Sequence, residues 1–347
     1  MSILLHIRRK TPFGMSSRTV ATTATTDPAQ ELFTIRKRHL GLRTGVHHKP
    51  VKDKTFLAHG LFGFDILQFQ IGPKSVPWLK LRLNYWGEIA TSLKAMGVEV
   101  VACRVPPTGD VVSRAKALRS FLERNTSDNE RVHILAHSMG GLDARYMLSH
   151  LPSIHFHVAT LTTIATPHRG SSFMDFCSEN LGVGHIEPSK LQMTTAISKA
   201  WRIPFTSKES GTDHAGDKGP SAGRRRAHPI VAAICSPFDT PAYANLTTKY
   251  CNDVFNRYVI DNPHTQYYSY AAVIPHIPLY HPLGPCHEIV SSREGANDGL
   301  VALKSATWGK FRGSLDCHHW DLTTTGTKFD SIGFYRDAIT RLADEGW

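Results

Sequence analysis

The chain has 347 residues, of which 41% are hydrophobic and 20% charged. That is the make-up of an ordinary globular protein, long enough for one large α/β domain with room for an insertion, and it excludes a largely disordered chain. No apolar run approaches the roughly 18 residues of a membrane-spanning helix. The formal net charge of +11 favours anionic partners, but much of the excess sits near the N-terminus and in Arg224-Arg225-Arg226. No nucleic-acid motif accompanies it, so nucleic acid is not an expected partner.

Six cysteines are scattered at positions 103, 177, 235, 251, 286 and 317, with neither Cys-x-x-Cys nor zinc-finger spacing. Reduced, buried thiols are the default in a reducing compartment. A pair such as Cys251 and Cys286 would bridge only in a secreted protein. Two sequons, at Asn125 and Asn245, likewise matter only after secretion.

Residues 1–50 read as a basic tail. Within residues 1–26 stand Arg8, Arg9, Lys10 and Arg18, many Ser and Thr, and no acid before Asp27. Ile3, Leu4 and Ile7 can share one face of a short helix that stops at Pro12. This is the composition of a mitochondrial transit peptide, and the expected location is mitochondrial, with the cytoplasm or a lipid-droplet surface as the alternatives.

From about residue 51 a globular domain begins. Thr55 to Ala58 reads as a buried strand ending in His59-Gly60-Leu61-Phe62-Gly63. A helix is predicted over Tyr85 to Met96, with Trp86, Ile89, Ala90 and Leu93 at helical spacing and Gly97 as its stop. Val98 to Val105 reads as a strand buried on both faces. Val111 to Leu122 follows as an amphipathic helix, then strand Val132 to Ala136, helix Gly141 to Leu148 and strand Val158 to Ile164. This alternation implies right-handed crossovers and a mainly parallel central sheet flanked by helices.

The pattern then breaks. Residues 171–263 contain no clean strand and are expected to form a helical cap or lid insertion. Pro188 to Trp201 carries Met193, Ile197, Ala200 and Trp201 on one helical face. Ser207 to His228 has the composition of a disordered surface tract. Tyr267 to Val273 resumes as a strand, and Phe329 to Leu342 reads as a last helix.

The chemistry is concentrated in three places. Ala136-His137-Ser138-Met139-Gly140-Gly141 lies between an apolar strand and a helix. A serine hydroxyl becomes a useful nucleophile only when exposed beside a base. A sharp strand-to-helix turn gives that exposure, and its crowding demands small residues two before and two after the serine. Ala136 and Gly140 meet the demand, although glycine is the commoner residue at the first position. Ester cleavage also places negative charge on the carbonyl oxygen, which backbone N–H groups stabilise. The N–H of Met139, next to the nucleophile, and that of Leu61, in the first strand-to-helix loop, are the expected donors, with His59 structural.

The base and its acid should follow in the order acid, then histidine. Asn297-Asp298-Gly299-Leu300-Val301 offers Asp298, and Cys317-His318-His319-Trp320-Asp321 offers two histidines. From the residues alone His318 and His319 are equivalent, and Glu294, Asp316 and Asp321 rival Asp298.

These motifs together resemble the microbial triacylglycerol lipases, and particularly their yeast mitochondrial branch. The resemblance rests on AHGLFGFD near residue 58, AHSMGGLDARY around Ser138, TPHRGS from Thr166, NDGLV from Asn297, SATWGKFRG from Ser305 and HWD from His319. It covers residues 56–170 and from Tyr267 to the end. It implies an α/β-hydrolase fold and a triad of Ser138, Asp298 and His319, because the family's histidine stands two before an acid. It also implies oxyanion donors at Leu61 and Met139, and an acyl-ester substrate met at a lipid–water interface or membrane surface. Bacterial relatives hold a structural calcium near this histidine. Asp321 matches one ligand, but Leu322-Thr323-Thr324-Thr325 offers no second carboxylate, so neither metal nor cofactor is expected. The expected activity is hydrolysis of tri- or diacylglycerols. A phospholipase, a sterol-ester hydrolase or an acyltransferase would use the same triad. A non-catalytic lipid- or protein-binding scaffold is the alternative of another class.

Overall fold

The computed structural model describes residues 48–61, 67–70, 80–83, 85–153, 155–181, 241–324, 326 and 329–347. The expected presequence, the helix over Pro188 to Trp201 and the tract Ser207 to His228 lie outside the described residues.

Eight strands are described: β1 (Lys54–Ala58), β2 (Leu67–Gln70), β3 (Lys80–Leu83), β4 (Val100–Ala102), β5 (Glu130–His137), β6 (Phe156–Ile164), β7 (Gln266–Ala272) and β8 (Lys310–Leu315). Six of them form one sheet in the order β4-β1-β5-β6-β7-β8, parallel throughout. β2 and β3 form a separate antiparallel pair. The larger helices are α1 (Gly87–Ala95), α2 (Val111–Arg124), α3 (Gly140–His150), α4 (Ser172–Leu181), α5 (Gly284–Glu294) and α6 (Ser331–Asp344).

The two faces of the sheet build two cores, as the period-two alternation of a strand requires. Phe56, Ala58, Ile134 and Ala136 point to one side, against Leu118 and Leu122 of α2 and Leu142 and Met147 of α3. Leu57 and Leu135 point to the other, against Ile89 and Leu93 of α1 and Phe334, Ile339 and Leu342 of α6. Helices on both faces of a parallel sheet are the α/β-hydrolase architecture expected from the sequence. The Asp110 carboxylate accepts from Ser113 N–H at 2.8 Å and so starts α2. Asn245, one of the sequon asparagines, is buried and accepts from Val111 N–H at 2.9 Å in the same helix end.

The β2–β3 pair was not expected, and within the six-stranded sheet two further strands depart from expectation, both of them edges. The segment predicted as a long strand over Val98 to Val105 shrinks to three residues, and Val101 and Ala102 are only half-buried. It pairs with β1 alone, so its burial on both faces was overestimated. At the other edge, β8 carries Lys310, Arg312 and Ser314, a polar run with no clear strand signature, and it is held by its ladder to β7. The cysteines at 103, 177, 251, 286 and 317 are all buried.

Candidate active site

Every group of interest stands at the C-terminal edge of the parallel sheet, where the loops leave the strands. Ser138 follows β5 and has φ 55°, a left-handed conformation that a non-glycine residue adopts only under constraint. The constraint is visible. Its N–H donates to the Ile164 carbonyl at 2.9 Å, and its own carbonyl accepts from Gly141 N–H at 3.1 Å and from Thr166 Oγ1 at 2.8 Å. Close packing explains the small residues of the motif. A Cβ on Gly140 would lie 2.8 Å from both the Ala58 and His59 carbonyl oxygens. Ala136 is wholly buried and fits without glycine.

The loop after β1 presses against Ser138. A Cβ on Gly60 would stand 2.6 Å from Ser138 Cβ. Leu61 comes next in that loop, while Met139 opens the first turn of α3, where backbone N–H groups have no partner within the helix.

His319 Nε2 lies 3.0 Å from Ser138 Oγ, and His319 Nδ1 lies 2.7 Å from Asp298 Oδ2. The remaining Asp298 oxygen accepts from Leu300 N–H at 2.9 Å and Val301 N–H at 2.8 Å. Because Asp298 accepts at Nδ1, that nitrogen carries the proton and Nε2 faces the serine with its lone pair. Asp298 is fully buried and His319 nearly so.

The rival residues are occupied elsewhere. His318 caps the short 3₁₀ turn His319–Leu322, accepting from Asp321 N–H while Asp321 Oδ2 accepts from His318 N–H. Glu294 accepts from Ser172 N–H at 2.9 Å, and Asp316 is exposed. The Asp321 carboxylate serves that cap, and a Cβ on Gly326 would come within 2.4 Å of its Cα. Among the described residues no group of three or more His, Cys, Asp or Glu could hold a metal ion.

The sequence reading gave no role to three supports. Arg114 is completely buried, pairs with Asp143 at 2.7 Å and donates to the carbonyls of Pro106, His59 and Gly60. It thereby holds the loop that carries Leu61 from beneath. Its one signal was its place on the apolar stripe of α2, between Val111, Ala115 and Leu118. Tyr85 bridges the same loop to the elbow: its hydroxyl accepts from Gly60 N–H at 3.2 Å and hydrogen-bonds His137 Nδ1. The His137 ring stands 4.7 Å from that of His319, and burial holds its pKa well below the ordinary imidazole value. Finally, the TPHRGS loop joins the Ser138 turn to the segment that follows Asp298. Thr166 grips Ser138, and Ser171 Oγ donates to the Leu300 carbonyl at 2.5 Å.

Comparison with known proteins agrees with this architecture. Residues 110–181 match a family model described as a PGAP1-like alpha/beta domain. The chain is 26% identical over 297 residues to triacylglycerol lipase 2 of Saccharomyces cerevisiae, covering 77% of this chain and 76% of the yeast protein. It is 30% identical over 134 residues to a triacylglycerol lipase of Pseudarthrobacter phenanthrenivorans, covering 36% of each. Its fold is similar to the crystal structure of Staphylococcus hyicus lipase, with TM-score 0.53 at 18% identity, over 86% of this chain and 98% of that one.

Proposed function

We propose that this chain, a carboxylic ester hydrolase of the triacylglycerol lipase family, is a serine lipase that cleaves the acyl esters of tri- and diacylglycerols through an acyl-enzyme. The observation that carries the reading is the unbroken hydrogen-bonded line from Ser138 Oγ through His319 to Asp298 at the strand-to-helix elbow.

In this reading His319 Nε2 takes the Ser138 proton as Oγ attacks the ester carbonyl. The resulting oxyanion is held by the N–H groups of Leu61 and Met139. Asp298 keeps the proton on Nδ1 and stabilises the imidazolium, without taking the proton itself. His319 then gives its proton to the leaving alcohol. A water molecule, deprotonated by the same nitrogen, attacks the acyl-enzyme; the bond to Ser138 Oγ breaks, His319 returns the proton to Oγ, and the fatty acid is released. No step draws on a metal or cofactor. The substrate is met at a lipid–water interface, and residues 1–26 direct the protein to mitochondria.

The test is hydrolysis of p-nitrophenyl esters of rising chain length by wild type and by Ser138→Ala. A loss of about a thousandfold or more in the variant is expected. Equal rates would remove Ser138 as the nucleophile. A fluorescent fusion that still reaches mitochondria without residues 1–26 would remove the targeting reading.

A further inference from the structure

Among the described residues five large hydrophobic side chains are exposed: Tyr258, Ile260, Leu279, Tyr280 and Trp320. Tyr258 and Ile260 precede β7 and lie toward the N-terminal end of the sheet. The other three follow β7 and β8, on the edge that carries Ser138 and His319. Leu279 is 62% exposed, Tyr280 89% and Trp320 41%. They come from two loops joined through His281, whose ring lies 4.9 Å from that of His318 and 5.8 Å from that of Trp320. Trp320 directly follows His319. The three side chains therefore stand on one rim beside His319, with the rings of His281 and His318 between them.

The rim is built to stay outside. Its tip, Leu279-Tyr280, is a turn closed by His281 N–H on the Pro278 carbonyl at 2.9 Å and by Gly284 N–H on the His281 carbonyl at 2.8 Å. Leu283 N–H adds a bond to His281 Nδ1 at 3.2 Å. The turn rests directly on the start of α5, where a Cβ on Gly284 would stand 2.2 Å from the Pro278 oxygen and 2.8 Å from Leu279 Cα. Ile277 and Leu283, on either side of the tip, are buried and meet Gly299, one residue past Asp298. Pro275, Pro278 and Pro282 remove further freedom. With the backbone of the turn fixed in this way, the Leu279 and Tyr280 side chains stand largely in water, at a cost that burial in an apolar phase would relieve.

The chemistry of the segment says what it meets. Val273 to His287 contains no Asp, Glu, Lys or Arg. Charged groups that would register against a protein partner are missing, whereas a tip of Leu and Tyr suits the boundary between acyl chains and headgroups. The rim is also continuous with the ester site. We propose that the Leu279-Tyr280 turn, with Trp320, is the lipid-contact element: it inserts into a lipid surface and seats the mouth of the Ser138–His319 site against the layer that holds the ester. This deepens, and rests on, the lipase reading, but binding can be read without catalysis.

The experiment uses the full chain carrying Ser138→Ala, so that nothing is hydrolysed, sedimented with phosphatidylcholine vesicles. Zwitterionic lipid keeps the net positive charge of the chain from dominating. Adding Leu279→Ser and Tyr280→Ser together should cut the bound fraction's partition coefficient about tenfold or more. In the Ser138 background the same pair should leave kcat/KM on p-nitrophenyl butyrate within about twofold, while hydrolysis of emulsified triolein falls about tenfold. Vesicle binding that is absent in the parent, or unchanged by the pair, overturns the proposal and points to another part of the chain or a protein over the rim. A parallel loss on the soluble ester also overturns it, since the turn would then serve only to support Asp298. In each of these cases loss of ester cleavage on Ser138→Ala would still stand as the separate test of the lipase reading.

Discussion

Arg114 Nη2 donates to the His59 carbonyl at 2.8 Å, tying the first turn of α2 to the loop that carries Leu61. The guanidinium has no exposure, and its charge is balanced by Asp143, equally buried, through Nε at 2.8 Å and Nη2 at 2.7 Å. Burial pushes the Asp143 carboxyl up to about 6 even with Arg114 beside it. Arg114→Met strands that carboxylate and is expected to cost about 3–5 kcal/mol of stability. Arg114→Met with Asp143→Leu removes both charges and should regain most of that loss. The double variant should still hydrolyse a soluble ester about a hundredfold more slowly, because the loop has lost its tether and the oxyanion donor drifts. Urea unfolding and kcat on p-nitrophenyl butyrate separate the two effects. Recovery of rate together with stability would show that the loop holds its place without Arg114.

The neighbouring histidines should behave as opposites. His319→Ala removes the group 3.0 Å from Ser138 Oγ and should lower kcat about a thousandfold or more. His318→Ala removes the cap of a 3₁₀ turn and a ring contact with His281, and should cost about 1 kcal/mol of stability, with little change in kcat. Asp298→Asn keeps an oxygen for the Leu300 and Val301 N–H groups but no longer enforces the proton on Nδ1. A fall of about ten-thousandfold in kcat with an ordinary melting temperature is expected. Comparable kcat for His318→Ala and His319→Ala would reverse the assignment.

What could be read from the sequence, and what could not, follows the range of the interactions. Ser138 was legible because the small residues two before and two after it, Ala136 and Gly140, form a short sequence pattern, although the backbone that crowds Gly140 belongs to Ala58 and His59, far back in the chain. Asp298 and His319 were legible as an order along the chain, but the choice of His319 over His318 came from resemblance. Its physical reason, the capping role of His318, needs the turn geometry. Arg114 and Tyr85 were invisible as functional groups. Arg114 acts on a loop more than fifty residues away, and Tyr85 joins Gly60 to His137 across two strand ends. Within the six-stranded sheet, the strands with neighbours on both sides were found by their apolar runs, whereas the edge β4 was drawn too long and the edge β8 was missed, as was the separate β2–β3 pair.

Gly140 gives a direct test of the elbow's crowding. A methyl there would meet backbone oxygens of Ala58 and His59, neither of which can rotate away. Gly140→Ala should therefore push the loop after β1 off the nucleophile, with about 1–3 kcal/mol of destabilisation and a loss of kcat beyond what the melting curve explains. Ala136→Gly is the control. It relieves no clash, costs about 1 kcal/mol in the strand, and should leave kcat unchanged. Full activity in Gly140→Ala would show that the loop has slack to give.

Acid stability is set in part by buried imidazoles. His133 has no exposure; its Nδ1 meets Thr160 Oγ1 at 2.9 Å, Asp53 lies 3.6 Å from Nε2, and the Trp347 ring packs edge-on. Burial lowers its pKa to about 4, with Asp53 opposing the shift and Arg131 adding to it. In the unfolded chain a histidine titrates near 6.5, so between about pH 6.5 and 4 the unfolded state binds the proton that the fold refuses. Stability from His133 is therefore full above about pH 6.5, is lost as pH falls through that window, and changes no further below it. A shift of this size corresponds to about 3 kcal/mol. His137 and His168, also buried and held low, add losses of the same sign. Asp143 opposes them, because a carboxyl raised to about 6 in the fold stabilises the protein as pH falls through its own window. His133→Asn keeps a partner for Thr160 but cannot be protonated. Its unfolding free energy in urea should drop less between pH 7 and pH 4 than that of the wild type, by about 3 kcal/mol. The packing defect of the substitution is the same at both pH values, so the difference between them isolates the titration. Parallel pH profiles for the two proteins would mean that His133 is charged in the native state, paired with Asp53, and that the acid sensitivity lies with the other histidines.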